Sequence, residues 1–319
     1  MSTPTLPRDL HWVQRPFPNA NLLLLRGSET ALVDSGFGAH AEATELLAAE
    51  TVPRVDWVVN THWHSDHVGG NALFQHRGAG IVGSHLDATE LDRRNPGCCV
   101  AEYLDQPVPA YTVDRRVGDA DRLLLGEREW EVLAIPGHTA GHLALWDRDD
   151  QLLVVGDTVS SYDVGWVNVM LDGVGAIDTA LESAHRLRAC DARLILPGHG
   201  PLVDRPGPAI DKAIERLERQ RDNVDLAVDY GAKRILGFAL MIRGAMTTSE
   251  LDAYLHDRHW VGDAAALVNL DVDDFVRSLV DSMLASGALL LDHGRISTAA
   301  EHEAADPAIF DLPFPRDWN

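Results

Sequence analysis

A chain of 319 residues, 45% hydrophobic and 24% charged, has enough apolar content for one large domain or for a domain with a smaller companion. Its formal net charge of −22 and pI near 4.9 repel phosphate backbones, which disfavours broad electrostatic binding of nucleic acid. The three cysteines, Cys98, Cys99 and Cys190, are odd in number, so no disulfide framework is visible, which agrees with a reducing compartment; the missing CxxC spacing gives a metal role for Cys98 or Cys99 little support and leaves their function open. The first twelve residues lack a basic stretch followed by an apolar one, and the apolar run at 22–25 is only four residues long. The expectation is a cytoplasmic protein with no membrane span.

Apolar runs at 19–25 and 29–34, around Arg26-Gly27-Ser28, predict two strands. An Ala-, Glu- and Leu-rich stretch at 39–50 predicts a helix, closed by Pro53. A strand at 55–60 leads into a histidine-rich loop, then a short helix at 71–76 and a strand at 80–84. A helix at 85–94 stops at Asn95-Pro96-Gly97. Strands follow at 123–125 and 130–135, a hairpin at 143–146 and 152–155, a helix at 177–189 and a strand at 193–196. Beyond residue 207 the character changes, and 208–319 reads as a second, mostly helical unit. One long helix is predicted at 209–230, and a short one opened by Thr248 or Ser249 as N-cap. A helix at 272–285 carries an apolar stripe and ends at Gly287; strands at 288–291 and 295–297 make a hairpin. Helix, helix, hairpin is the order of a winged helix. From Arg205 onward there are 12 basic and 20 acidic residues, which favours packing or a homodimer over nucleic acid.

The densest chemistry lies in Thr61-His62-Trp63-His64-Ser65-Asp66-His67, spaced H-x-H-x-D-H. Alternation places His62 and His64 on one side, while Asp66 and His67 point elsewhere, so one short stretch can serve two neighbouring metals. Three later pieces each follow a β-like run and carry Gly or Pro: Pro136-Gly137-His138-Thr139-Ala140-Gly141-His142, Gly156-Asp157-Thr158 and Pro197-Gly198-His199-Gly200. Loops at strand ends carry function on a rigid sheet. The chain has no G-x-S-x-G, no P-loop and no G-x-G-x-x-G, so serine hydrolase, NTPase and dinucleotide-binding readings lack support.

In this order the pieces THWHSDH, PGHTAGH, GDT and PGHG resemble the metallo-β-lactamase superfamily, over roughly residues 20–204. The resemblance implies an α+β fold, a four-layer αββα sandwich with a two-metal site at one edge, in a domain spanning 1–207. It implies that His62, His64 and His138 hold a first metal, that Asp66, His67 and His199 hold a second, and that Asp157 bridges both. His142 is left as a neighbouring group. Asp34 either supports the site, as an Asp often does in the family, or is a strand-end turn residue.

The chemistry implied is hydrolysis. Two divalent cations roughly 3.5–4 Å apart share a water, lower its pKa and polarise the scissile oxygen. Asp66 and Asp157 are the catalytic candidates, Asp66 as a ligand that also steers the nucleophile. Zinc is the default, with iron or manganese open. The leading substrate class is a small-molecule ester, thioester or lactone. Phosphodiester or nucleic-acid cleavage, β-lactam hydrolysis and non-hydrolytic iron oxygenation or binding are the alternatives. Asp157 and the absence of an export signal weigh against β-lactams, and the missing basic cluster weighs against glutathione thioesters. Tyr162 and Trp166, in the segment 160–166, are expected as aromatic walls for the substrate, with 85–105 on the other side. The tail resembles the winged-helix-like unit of a subgroup that includes an endoribonuclease, without that enzyme's basic, glycine-rich clamp.

Overall fold

The structure, a computed structural model, describes residues 5–162 and 164–318. Two β-sheets pack face to face. The first holds β1 (Leu10–Val13), β2 (Leu22–Leu25), β3 (Ala31–Val33), β4 (Trp57–Val59), β5 (Gly80–Ser84) and β6 (Arg115–Val117), hydrogen-bonded in that order. Strands β1 to β3 are antiparallel and β3 to β6 parallel. The second holds β7 (Arg122–Leu125), β8 (Arg128–Ala134), β9 (Leu143–Asp147), β10 (Leu152–Gly156) and β11 (Leu194–Pro197), in the order β11-β10-β9-β8-β7. Only its β10–β11 pair is parallel.

The run Leu22-Leu23-Leu24-Leu25 shows how sequence sets the layers. All four side chains are buried, as a strand covered on both faces requires. Alternation sends Leu23 and Leu25 between the sheets, against Trp130, Val132 and Leu145. Leu22 and Leu24 point the other way, to Ala48, Val68 and Phe74. Those three belong to α1 (Ala41–Ala49), α2 (Ser65–Val68) and α3 (Asn71–His76), which with α4 (His85–Arg93) cover the first sheet; α5 (Ala101–Leu104) follows. On the far side, α6 (Val169–Asp172), α7 (Ala176–Ala189) and α8 (Pro206–Asp222) cover the second. The four-layer sandwich is the one expected.

Several elements differ from expectation. The single helix predicted at 209–230 is two, because Asn223 leaves helical geometry (φ −143°, ψ 98°) and its side chain accepts the Asp225 N–H. An Asn that caps a new helix ends the old one. The second helix, α9 (Val224–Arg243), runs well beyond 230. After it come β12 (Met246–Thr247), α10 (Thr248–His256), α11 (His259–Leu267), α12 (Val272–Ala285), β13 (Leu289–Asp292) and β14 (Arg295–Thr298). Helix α11 was not expected; Gly262 in its middle weakens the helical signal. The cap of α10 is Thr247, in a reciprocal capping box with Glu250, one residue earlier than Thr248. The last three strands pair in the order β12-β14-β13.

One apolar cluster runs from Leu133 and Leu153 of the second sheet through Leu217, Leu236, Trp260 and Phe275 to Ile296. Residues beyond 207 therefore pack directly onto the sandwich. Among the described residues, no helix is long and apolar enough to cross a membrane.

Candidate metal centre

Each candidate ligand follows the C-terminal end of a strand: β4 for the histidine cluster, β8 for His138, β10 for Asp157 and β11 for His199. The histidine cluster is not all loop. Helix α2 begins at Ser65, and its single turn carries Asp66 and His67 away from His62 and His64. Strands β10 and β11 end in register at Gly156 and Pro197, and Gly198 N–H donates to Gly156 O at 2.7 Å. That pairing sets Asp157 beside His199. Asn21 fixes the same loop: its amide donates to Pro197 O (3.0 Å) and Gly200 O (2.8 Å), and its N–H donates to Gly198 O (2.6 Å).

Two donor groups result. His62, His64 and His138 place one ring nitrogen each within 4.8 Å of one another, and Asp66, His67, Asp157 and His199 do the same with their ligand atoms. His62 Nε2 lies 3.2 Å from His64 Nδ1. His199 Nε2 lies 3.0 Å from Asp66 Oδ2 and 3.5 Å from Asp157 Oδ2. Asp157 faces both groups, with Oδ1 3.2 Å from His67 Nε2 and Oδ2 3.8 Å from His138 Nε2.

The outward ring nitrogens set the orientations. His138 Nδ1–H donates to Trp166 O (2.7 Å) and His67 Nδ1–H to Asp34 Oδ2 (2.8 Å), which turns each Nε2 inward. Asp34 also accepts from Thr61, by the N–H at Oδ1 and the hydroxyl at Oδ2, both 2.8 Å. It sits in the left-handed region (φ +56°), so backbone strain accompanies this anchor. Of the two readings of Asp34, the geometry selects the supporting one.

Burial and mutual charge set the protonation. Burial, then the neighbouring histidines, pushes His62 well below the ordinary imidazole range; burial, then His138, pushes His64 down to about 3. For Asp157, burial acts upward, but His199 and His67 outweigh it and hold the carboxyl well below its usual range. For His67, burial acts downward and is overcome by Asp157, Asp34 and Asp66, so this imidazole is raised. Neutral imidazoles on one side and ionised carboxylates on the other form a cation-binding set. Among the described residues, His138 Nε2 is buried without a hydrogen-bond partner, and His67 Nε2 and Asp157 Oδ1, though 3.2 Å apart, are not aligned for a hydrogen bond and have no other partner. Such orphans are costly unless something satisfies them, and these three converge on the space that cations would fill. The residues fit a metal pair.

His142 is fully buried, and its ring stacks on His62 at 4.5 Å. It belongs to neither donor group. Trp166 lies parallel to the His64 ring (4°, centroids 6.0 Å apart), and Tyr162, 61% exposed, stands at the mouth. Both line a cavity of about 600 Å³ that opens over the donor groups. From the stretch 85–105, Leu104 also lines the cavity; of the segment 160–166, Asp163 lies outside the described residues. Phe17 and Asn21 were missed, because a Phe between prolines and an Asn before a strand carry no metal-site signal in sequence.

The chain belongs to the metallo-beta-lactamase superfamily, a superfamily of metal-dependent hydrolases, whose pattern matches residues 15–199. It is 33% identical over 157 residues to a hydroxyacylglutathione hydrolase of Rhodospirillum rubrum, covering 48% of this chain and 52% of that one. It is 30% identical over 219 residues to an acyl-coenzyme A thioesterase of Gallus gallus, covering 60% and 77%. An atrochrysone carboxyl ACP thioesterase of Aspergillus fumigatus is 27% identical over 234 residues, covering 72% and 65%. Two of these three matches span less than two thirds of the relative's length. A metallo-beta-lactamase family protein of Thermus thermophilus shares the fold across 92% of this chain and 100% of its own, with a TM-score of 0.58 and 22% identity.

Proposed function

We propose that this chain is a binuclear metal hydrolase acting on the ester, thioester or lactone carbonyl of a small molecule, and that it carries zinc. The observation behind this reading is the placement of Asp157 between a three-histidine group and a group of Asp66, His67 and His199. Divalent cations held there would supply Lewis-acid chemistry toward a carbonyl and an activated water at neutral pH. His62, His64 and His138 would hold the first position, Asp66, His67 and His199 the second, and Asp157 would serve both. Asp66, whose Oδ2 is already in reach of His199, orients the attacking water and receives its proton. Asp34 keeps His67 Nε2 turned inward. Tyr162 and Trp166 wall the substrate. The thioesterase names of two relatives favour thioesters among the carbonyl substrates.

The test is a panel of thioesters, esters and lactones run beside bis-p-nitrophenyl phosphate, with metal content measured on the same sample. Turnover of carbonyl substrates with two metals per chain is expected. Turnover of the phosphodiester alone reverses the substrate class, and a single iron per chain points to oxygenase chemistry. Asp157→Ala is expected to lose metal and activity together; full retention of both removes the bridging role. A reducing, cytoplasmic location is supported by three free cysteines. The C-terminal elements are proposed as a winged-helix-like second domain that packs rather than binds nucleic acid, with sedimentation velocity deciding whether it pairs two copies.

A further inference from the structure

Beside His64, Asp66, Asp157 and His199, the cavity over the donor groups is lined by an apolar set, Leu104, Ile235, Phe238, Met241 and Met283, and by a polar one that includes Gln106, Tyr230, Lys233 and Arg234. The apolar set forms one wall for a hydrocarbon chain. Leu104 belongs to α5, Ile235, Phe238 and Met241 to α9 and Met283 to α12, so the elements beyond 207 supply most of this wall. A volume of about 600 Å³ is that of a pocket for a sizeable organic ligand. Two methionines adapt their shape to flexible chains.

Gly237 is the telling position. It lies within α9 and lines the cavity, and a Cβ built there would meet nothing within 4 Å. A glycine inside a helix weakens it relative to alanine. Here no neighbouring atom demands one; what the missing side chain leaves is room in the cavity.

Resting on the hydrolase reading above, we infer that the substrate is an acyl ester or thioester whose apolar chain lies along the Gly237 face of α9, with its carbonyl at the metal centre. The wall excludes water from the chain, and each buried methylene adds to binding. Gly237, Phe238, Met241 and Met283 set the chain length that is accepted.

The experiment uses the full, metal-reconstituted chain and two readouts. One is kcat/KM for acetyl, butyryl and octanoyl esters and thioesters. The other is calorimetric binding of acetate, butyrate and octanoate. Both are expected to rise about threefold to fourfold per added methylene until the cavity is filled. Gly237→Leu, which projects an isobutyl group into the cavity, is expected to cut the octanoyl-to-acetyl ratio at least tenfold, with metal content unaltered; Gly237→Ala, the milder variant should Leu not fold, gives a smaller cut. A flat chain-length dependence with good turnover overturns this inference and leaves the hydrolase reading intact. Octanoate binding that depends on Gly237, with no acyl turnover at all, sinks the hydrolase reading and keeps the cavity assignment. Unchanged ratios in both Gly237 variants overturn the inference.

Discussion

The Phe17 ring stacks on the His199 imidazole, with centroids 4.5 Å apart and planes 20° from parallel. Phe17 is itself held from behind: Glu303 N–H donates to Phe17 O at 2.6 Å. An imidazole wedged this way keeps its Nε2 aimed at Asp66 and Asp157. Truncating Phe17 to Ala is expected to weaken the second metal position about tenfold to a hundredfold, the usual cost of losing a group that orients a ligand. Zinc titration by calorimetry separates the two positions; equal loss at both, or none, contradicts this role.

Asp34→Asn replaces an acceptor of three hydrogen bonds with an amide that must present a donor to at least one existing donor. The buried mismatch is expected to cost about 1–3 kcal/mol of stability. Urea denaturation of the metal-free protein measures that directly, free of any effect on metal binding.

A Cβ on Gly198 would overlap Asp157 Oδ1 and crowd the His67 ring. Gly198→Ala is therefore expected to lower kcat/KM by about a hundredfold, since displacements near an ångström cost on that order. Circular dichroism should be unchanged, which separates displacement from unfolding.

Asp87 is buried against Ser84 and Gly141, and burial raises its carboxyl to about 7. A carboxyl raised in the fold leaves stability intact below its unfolded value of 3.8 and removes it as pH rises through 7. Asp87→Asn is expected to remove that loss, gaining roughly 2–4 kcal/mol relative to the parent at pH 8 compared with pH 4. Unfolding free energies of parent and variant at both pH values decide it; an equal difference at the two refutes the assignment.

The residues of the two donor groups were readable in sequence because their chemistry is dense and punctuated: three histidines and an Asp in six positions, then glycine-flanked His138, Asp157 and His199. The central strands were readable from leucine and valine runs such as 22–25 and 152–155. The short strands β1 and β6 were not, since Arg115-Arg116 reads as solvated loop and only pairing with β5 makes it a strand. The break at Asn223 was hidden because helical residues flank it on both sides. The cavity wall was hidden for another reason: Phe238, Met241 and Met283 look like ordinary core until the chain folds them over a centre built from residues 62–199, far earlier in the sequence.

Helix α9 serves two masters on opposite sides of one cylinder. Val228, Ala232, Leu236 and Ala239 are buried on one side, while Tyr230, Arg234, Gly237 and Met241 repeat every three or four positions along the cavity. Selection acting on preference for one metabolite over another has a short track of alternate turns to work with, and can explore it without unsettling the packing half a turn away. Divergence among proteins built this way should therefore concentrate on that track, while the buried side changes slowly.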